Sequence, residues 1–186
     1  MRAAVLPPGG RQPVPFALSA YERKPLRGSL YCAGMNPRSD ALKLAAHTRK
    51  NLQYIETAAA EGADVDLVTQ LLGSLLGLVA FPWERHFAHP MAQVSLHDLE
   101  QGGWPSWHVT RGYANTLGQL LRCLRNAGAY GHIRLLCESD SLDGVILEAS
   151  DYRAGATEPH WSATISASDL RTFCHKFMDR VEESLG

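Results

Sequence analysis

The 186-residue sequence predicts a mainly α fold: an up-and-down four-helix bundle with a β-hairpin inserted before the last helix. Three observations carry this. Apolar residues recur at offsets of three and four through four separate segments. Strong breakers, Gly62 and Pro82, stand where the first two of these segments should stop. Two short β-type runs, 144–150 (GVILEAS) and 160–166 (HWSATIS), fall about ten residues apart, ahead of the last segment.

Residues 1–38 are punctuated by Pro7, Pro8, Gly9, Gly10, Pro13, Pro15, Pro25, Gly28 and Pro37, with no helical period, and read as a flexible basic tail. Met35, just ahead of the first helix signal, is an alternative start to Met1. The helical domain then occupies 39–186. Its first helix spans 39–60, capped by Ser39 or Asp40, with Leu42, Ala45, Ala46, Leu52, Ile55 and Ala59 inward. The second, 64–81, has a wide apolar stripe through Val65, Val68, Leu71, Leu72, Leu75, Leu76 and Val79. Gly73 and Gly77 allow close backbone approach, within the bundle in preference to a dimer seam. Pro82 stops this helix because it lacks an N–H and clashes with the preceding turn.

A short helix over 95–101 follows, with Ser95 and Asp98 at capping spacing. Trp104 and Trp107 read as a lid over the core in preference to a base-stacking platform. The third long helix covers 114–128 or beyond. The two β runs form the hairpin, with the acidic link 151–158 as its turn. Ser168 caps a last helix through Leu185, with Leu170, Phe173, Cys174, Phe177, Val181 and Leu185 inward.

Composition is that of an ordinary globular protein, 45% hydrophobic and 20% charged. Charge is uneven: residues 1–38 carry net +5, leaving about −6 for 39–186 out of the total of −1. That argues against general coating of nucleic acid and for a focused site on any polyanion. Cys32, Cys123, Cys137 and Cys174 show no CxxC pairing, which suits a reducing cytoplasm. His86 and His89 lack a third ligand nearby, so neither metal nor cofactor is expected. No run is long enough for a membrane span, and no secretory leader is visible.

The chemistry concentrates in residues 117–134, LGQLLRCLRNAGAYGHIR. From Gln101 to Cys137 there is no acid but there are four arginines, Arg111, Arg122, Arg125 and Arg134. Such a local positive field beside a titratable imidazole suits a phosphate. On a continuous helix, His132 would lie roughly 20° from Arg125 and about 10 Å further along the axis. Glycines at 128 and 131 each weaken a helix by about 1 kcal/mol, so a bend or an end between them is equally compatible. By residue type alone, Arg125 and Asn126 also suit a helix C-terminus, where a cation meets the dipole.

The run LRNAGAYGHI resembles the signature of the HEPN superfamily, an all-α group that includes RNA-cleaving toxins and defence nucleases. Its arginine, following polar residue and spaced histidine match Arg125, Asn126 and His132. The run SLLGLVAFPWER (74–85) is similar to a helix end in a plasmid-borne HEPN branch, so the resemblance covers roughly 40–185. The commonest HEPN spacing puts histidine where this chain has Tyr130; here tyrosine and histidine are exchanged.

The resemblance implies a HEPN-like helical domain acting as a metal-independent endoribonuclease of a toxin–antitoxin or antiphage defence system. RNA supplies the 2′-hydroxyl nucleophile. Arg125 would stabilise the phosphorane charge, His132 would move protons and Asn126 would position the phosphate. Arg122, Tyr130 and Arg134 would contact RNA. It further implies a cytoplasmic homodimer with an antitoxin or nucleotidyltransferase partner. The rival reading is a degenerate nucleotide- or RNA-binding or partner-assembly module; a purely structural dimer is a third.

Overall fold

The structure, a computed structural model, describes residues 37–80, 92–137 and 142–185. The tail as far as residue 36, the Pro82 stop and the His86/His89 pair lie outside the described residues. Helix α1 (Pro37–Ala60) starts two residues before Ser39, at a proline, whose missing N–H is harmless in a first turn. It buries Ala41, Ala45 and Leu52, whereas Ala46, expected inward, faces out.

Helix α2 (Leu67–Ala80) begins later than expected because Asp66 caps it, accepting a 2.7 Å bond from the Thr69 N–H. Leu71, Leu75, Leu78 and Val79 are buried. A Cβ on Gly73 or Gly77 would meet nothing within 4 Å among the described residues, so the expected close packing within the bundle is not found there. Helix α3 (Leu96–Gln101) forms, but Ser95 makes no side-chain cap bond. Its extended backbone is tied by a β-bridge to Thr116 instead.

Strand β1 (His108–Arg111) precedes helix α4 (Leu117–Ala129), whose cap Thr116 accepts from the Gln119 N–H at 3.3 Å. Strand β2 (Ile133–Cys137) follows directly; then a 3-10 turn (Leu142–Gly144), strands β3 (Val145–Asp151) and β4 (Trp161–Ser166), and helix α5 (Ala167–Leu185). Ser166, not Ser168, caps α5: its hydroxyl accepts from the Asp169 N–H at 3.1 Å and lies 3.0 Å from the Asp169 carboxylate.

The expected hairpin is β3–β4, but β1 and β2 flank it, giving a four-stranded antiparallel sheet in the order β1-β4-β3-β2. The mainly α expectation is thereby corrected to a mixed α/β architecture, with five helices among the described residues. One sheet face is apolar through alternation: Val145, Leu147 and Ala149 on β3, and Trp161, Ala163 and Ile165 on β4, are buried. Helices α4 and α5 pack on these strands, and α2 packs on both helices. Trp104 and Trp107 stand edge-on to Phe173 at 5.5 and 5.6 Å; Trp107 is buried in the core and the partly buried Trp104 packs against it.

Helices α1 and α5 are joined by charge as well as packing. Arg49 bonds Asp179 at 2.8 Å and Glu182 at 3.2 Å; half-buried Glu56 accepts from Arg171 at 2.6 Å and lies 2.9 Å from His175 Nε2.

Candidate functional site

The glycines after Asn126 decide the local geometry. Helix α4 stops at Ala129, and Gly131 takes φ +70°, open to glycine without the clash a Cβ suffers. The Gly131 N–H then bonds the Gly128 carbonyl at 3.2 Å and the His132 N–H bonds the Ala127 carbonyl at 2.8 Å. This pair of bonds is a Schellman cap. His132 therefore does not continue the helix, and the alignment with Arg125 that a regular helix would give does not arise.

Arg125 and Asn126 are adjacent and half-buried in the last turns of α4. Arg125 Nη2 donates to Asn126 Oδ1 at 3.3 Å, and Asn126 Nδ2 donates to Asp151 Oδ2 at 3.1 Å. Asp151 ends β3 on its buried face and is only 4% exposed, so the amide donor matters to a carboxylate with little access to water. Two further groups converge on it. His160 Nε2 lies 3.6 Å from Asp151 Oδ2, and Cys123, one turn before Asn126, completes a trio whose donor atoms lie within 4.8 Å of one another. Burial, with the Asp151 charge nearby, pushes the Cys123 thiol up to about 11, so it stays protonated near neutrality.

His132 belongs to a different surface. It lines a cleft of about 170 Å³ with Arg134, Glu148, Ser150, Tyr152 and Ser162. Glu148 and Ser150 alternate along β3 with Ala149 and Asp151, so this cleft and the Asp151 cluster lie on opposite faces of one strand. The His132 ring packs against Tyr152, centroids 4.4 Å apart, with Tyr130 at 6.2 Å. Its Nδ1 is closed off from solvent and has no hydrogen-bond partner among the described residues. Tyr130 is 72% exposed. Within one chain, then, the motif's arginine and asparagine are joined to each other and to Asp151, while the histidine sits with two tyrosines.

The positive field is also moderated in space. Arg111 pairs with Glu158, and Arg134 stands opposite Glu148 in the β2–β3 register. The stretch is free of acids along the sequence but not in the fold; Arg122 is exposed. Sequence reasoning missed Asp151 and His160. The first was read as part of the hairpin's turn, and the second as the start of a strand. A larger groove of about 530 Å³ lies elsewhere, between the α1–α2 connection and β2, lined by Val65, Leu67, Leu135 and Leu142.

A helix-rich domain whose third long helix carries an Arg-Asn pair near its C-terminal end, with a histidine in the cap that follows, resembles the HEPN class. A family model described as HEPN pEK499 p136 matches residues 35–184, and the chain belongs to this HEPN family. HEPN domains commonly bind RNA and dimerise. Neither the curated proteins nor the solved structures contain a match. Among the described residues no helix is long and apolar enough to cross a membrane.

Proposed function

We propose that this chain is an endoribonuclease of a toxin–antitoxin or antiphage defence system, cleaving RNA by attack of the 2′-hydroxyl on the adjacent phosphate. The observation that carries the reading is the anchoring of Arg125 and Asn126 through Asp151 at the end of α4, one capped turn before His132. Cleavage needs positive charge on the phosphorane, a proton acceptor for the 2′-hydroxyl and a donor to the leaving 5′-oxygen. Arg125 supplies the first, and an imidazole exchanging one proton supplies the others. Asn126 positions the phosphate, and Arg122, Tyr130 and Arg134 hold the flanking RNA. The nucleophile comes with the RNA, so the reaction as drawn uses no metal.

Because His132 and Arg125 lie on different sides of β3, a homodimer that brings His132 of one protomer to Arg125 of the other fits this chemistry better than an isolated chain. The protein would act in the cytoplasm, with an antitoxin or nucleotidyltransferase as regulatory partner. A second reading, an RNA- or nucleotide-binding module without cleavage, is favoured by one observation: the His132 ring is packed against Tyr152 with Nδ1 closed to solvent.

The deciding assay incubates a pool of structured and single-stranded RNA with wild type, Arg125→Ala and His132→Ala in EDTA. Cyclic 2′,3′-phosphate ends made by wild type and lost in both variants are expected. Intact RNA with folded, antitoxin-free wild type would refute cleavage and leave the binding module.

A further inference from the structure

We propose that Cys123, Asp151 and His160 form a binding site for one divalent transition-metal ion of the zinc class, at the neck of the β3–β4 hairpin. The three side chains come from three backbone elements held in fixed relation. Cys123 lies on the face of α4 that also carries Asn126, three residues on. Asp151 is the last residue of β3, paired in register with Trp161, and the His160 N–H bonds the Asp151 carbonyl at 2.9 Å. The neck itself thus sets His160 beside Asp151, and packing of α4 on β3 brings the thiol to both.

Distances and donor chemistry agree. Tetrahedral bonds of about 2.0 Å to nitrogen and oxygen and about 2.3 Å to sulfur place donor atoms roughly 3.3 to 3.5 Å apart. His160 Nε2 and Asp151 Oδ2 are 3.6 Å apart, and all three donor atoms lie within 4.8 Å of one another, close to those separations. Sulfur, imidazole and carboxylate together suit zinc and its neighbours; magnesium and calcium take oxygen ligands. Asn126, bonded to Asp151 Oδ2 at 3.1 Å, orients the carboxylate as outer groups do for metal ligands. Cys123 and Asp151 are buried at 4% exposure each, while the His160 side chain is 35% exposed, so the ion enters past His160.

Coordination displaces the Cys123 thiol proton to solvent, and the three protein donors leave a fourth tetrahedral position for water or an anionic oxygen. The bound ion clips the hairpin neck to α4, two residues from Arg125. This inference does not rest on RNA cleavage, and its readout is spectroscopic.

The full chain, reduced and stripped with chelator, is titrated with Co²⁺. Expected is uptake of one equivalent, with tetrahedral visible bands and a thiolate-to-metal charge-transfer band, both displaced by Zn²⁺. Cys123→Ser should abolish the charge-transfer band, whereas Cys32→Ser and Cys137→Ser should retain it. His160→Gln, near the surface and therefore tolerant of change, should weaken binding by at least about tenfold while its circular dichroism stays that of wild type. An absent charge-transfer band in wild type would overturn the site, as would its survival in Cys123→Ser. Wild-type affinity in His160→Gln would do the same, and that variant carries the test alone if the cysteine variant does not fold.

Discussion

Gly131→Ala is the most direct probe of how His132 is placed. Gly131 has φ +70°, and a Cβ there would meet no atom within 4 Å, so the substitution introduces backbone strain and no collision. A left-handed L-residue is disfavoured by about 1–2 kcal/mol, while alanine's smaller unfolded-state entropy returns about 0.4–1 kcal/mol. The net is a loss of on the order of 1 kcal/mol. Gly62 is a matched control. It has φ +83°, an equally open Cβ direction, and the same pair of cap bonds, Gly62 N–H to the Ala59 carbonyl and Ala63 N–H to the Ala58 carbonyl. Gly62→Ala should lose the same amount without touching the candidate site, and asparagine at either position should lose less than alanine. Urea unfolding followed by tryptophan fluorescence, with Trp107 and Trp161 buried in the core, measures all four variants. A gain in stability on either Gly→Ala change would refute the left-handed cap argument. A loss beyond about 3 kcal/mol would show a collision that the open Cβ direction denies.

Two further outcomes follow from buried polar groups. Removing the amide in Asn126→Ala takes from the 4%-exposed Asp151 one donor and leaves it the Cys123 thiol, and should lower stability by about 1–3 kcal/mol; a loss below about 0.5 kcal/mol in the same urea assay would show that water or another group replaces the amide. Burial opposes ionisation of Glu56, but hydrogen bonds from Arg171 and His175 outweigh it and hold the carboxyl below its ordinary 4.5. A carboxyl lowered by folding adds stability that is present above its unfolded value and lost as pH falls through its folded value. Urea midpoints of wild type should therefore fall more steeply on acidification below 4.5 than those of Glu56→Gln, and parallel curves would remove Glu56 from the acid sensitivity.

The four long helices were legible because each buries a 3.6-residue stripe long enough to count, and β3 because Val145, Leu147 and Ala149 alternate with half-buried neighbours. Strand β2 was hidden for physical reasons. It is five residues long, begins one residue after the Gly131 turn, and at the sheet edge leaves both Leu135 and Leu136 exposed, so no period-two signal survives. Strand β1 has four residues and a register shift between Val109 and Arg111 that breaks alternation. At the site, Arg125, Asn126 and His132 stood out because they are close in sequence. Asp151 and His160 did not, since only the antiparallel return of β3 and β4 brings the hairpin neck to α4. The acid-free stretch misled for the same reason: the hairpin link brings Glu158 to Arg111, and strand pairing sets Glu148 opposite Arg134 in register.

The ion pairs between α1 and α5 have a consequence for synthesis. Arg49 reaches residues 130 and 133 positions away, and Glu56 reaches residues 115 and 119 positions away. The first described helix therefore lacks its electrostatic partners until the last has left the ribosome, and closure of the core is a late, long-range event. Docking of α1 on α5 is thus among the last steps of folding, because α1 waits on the helix that comes latest among the described ones.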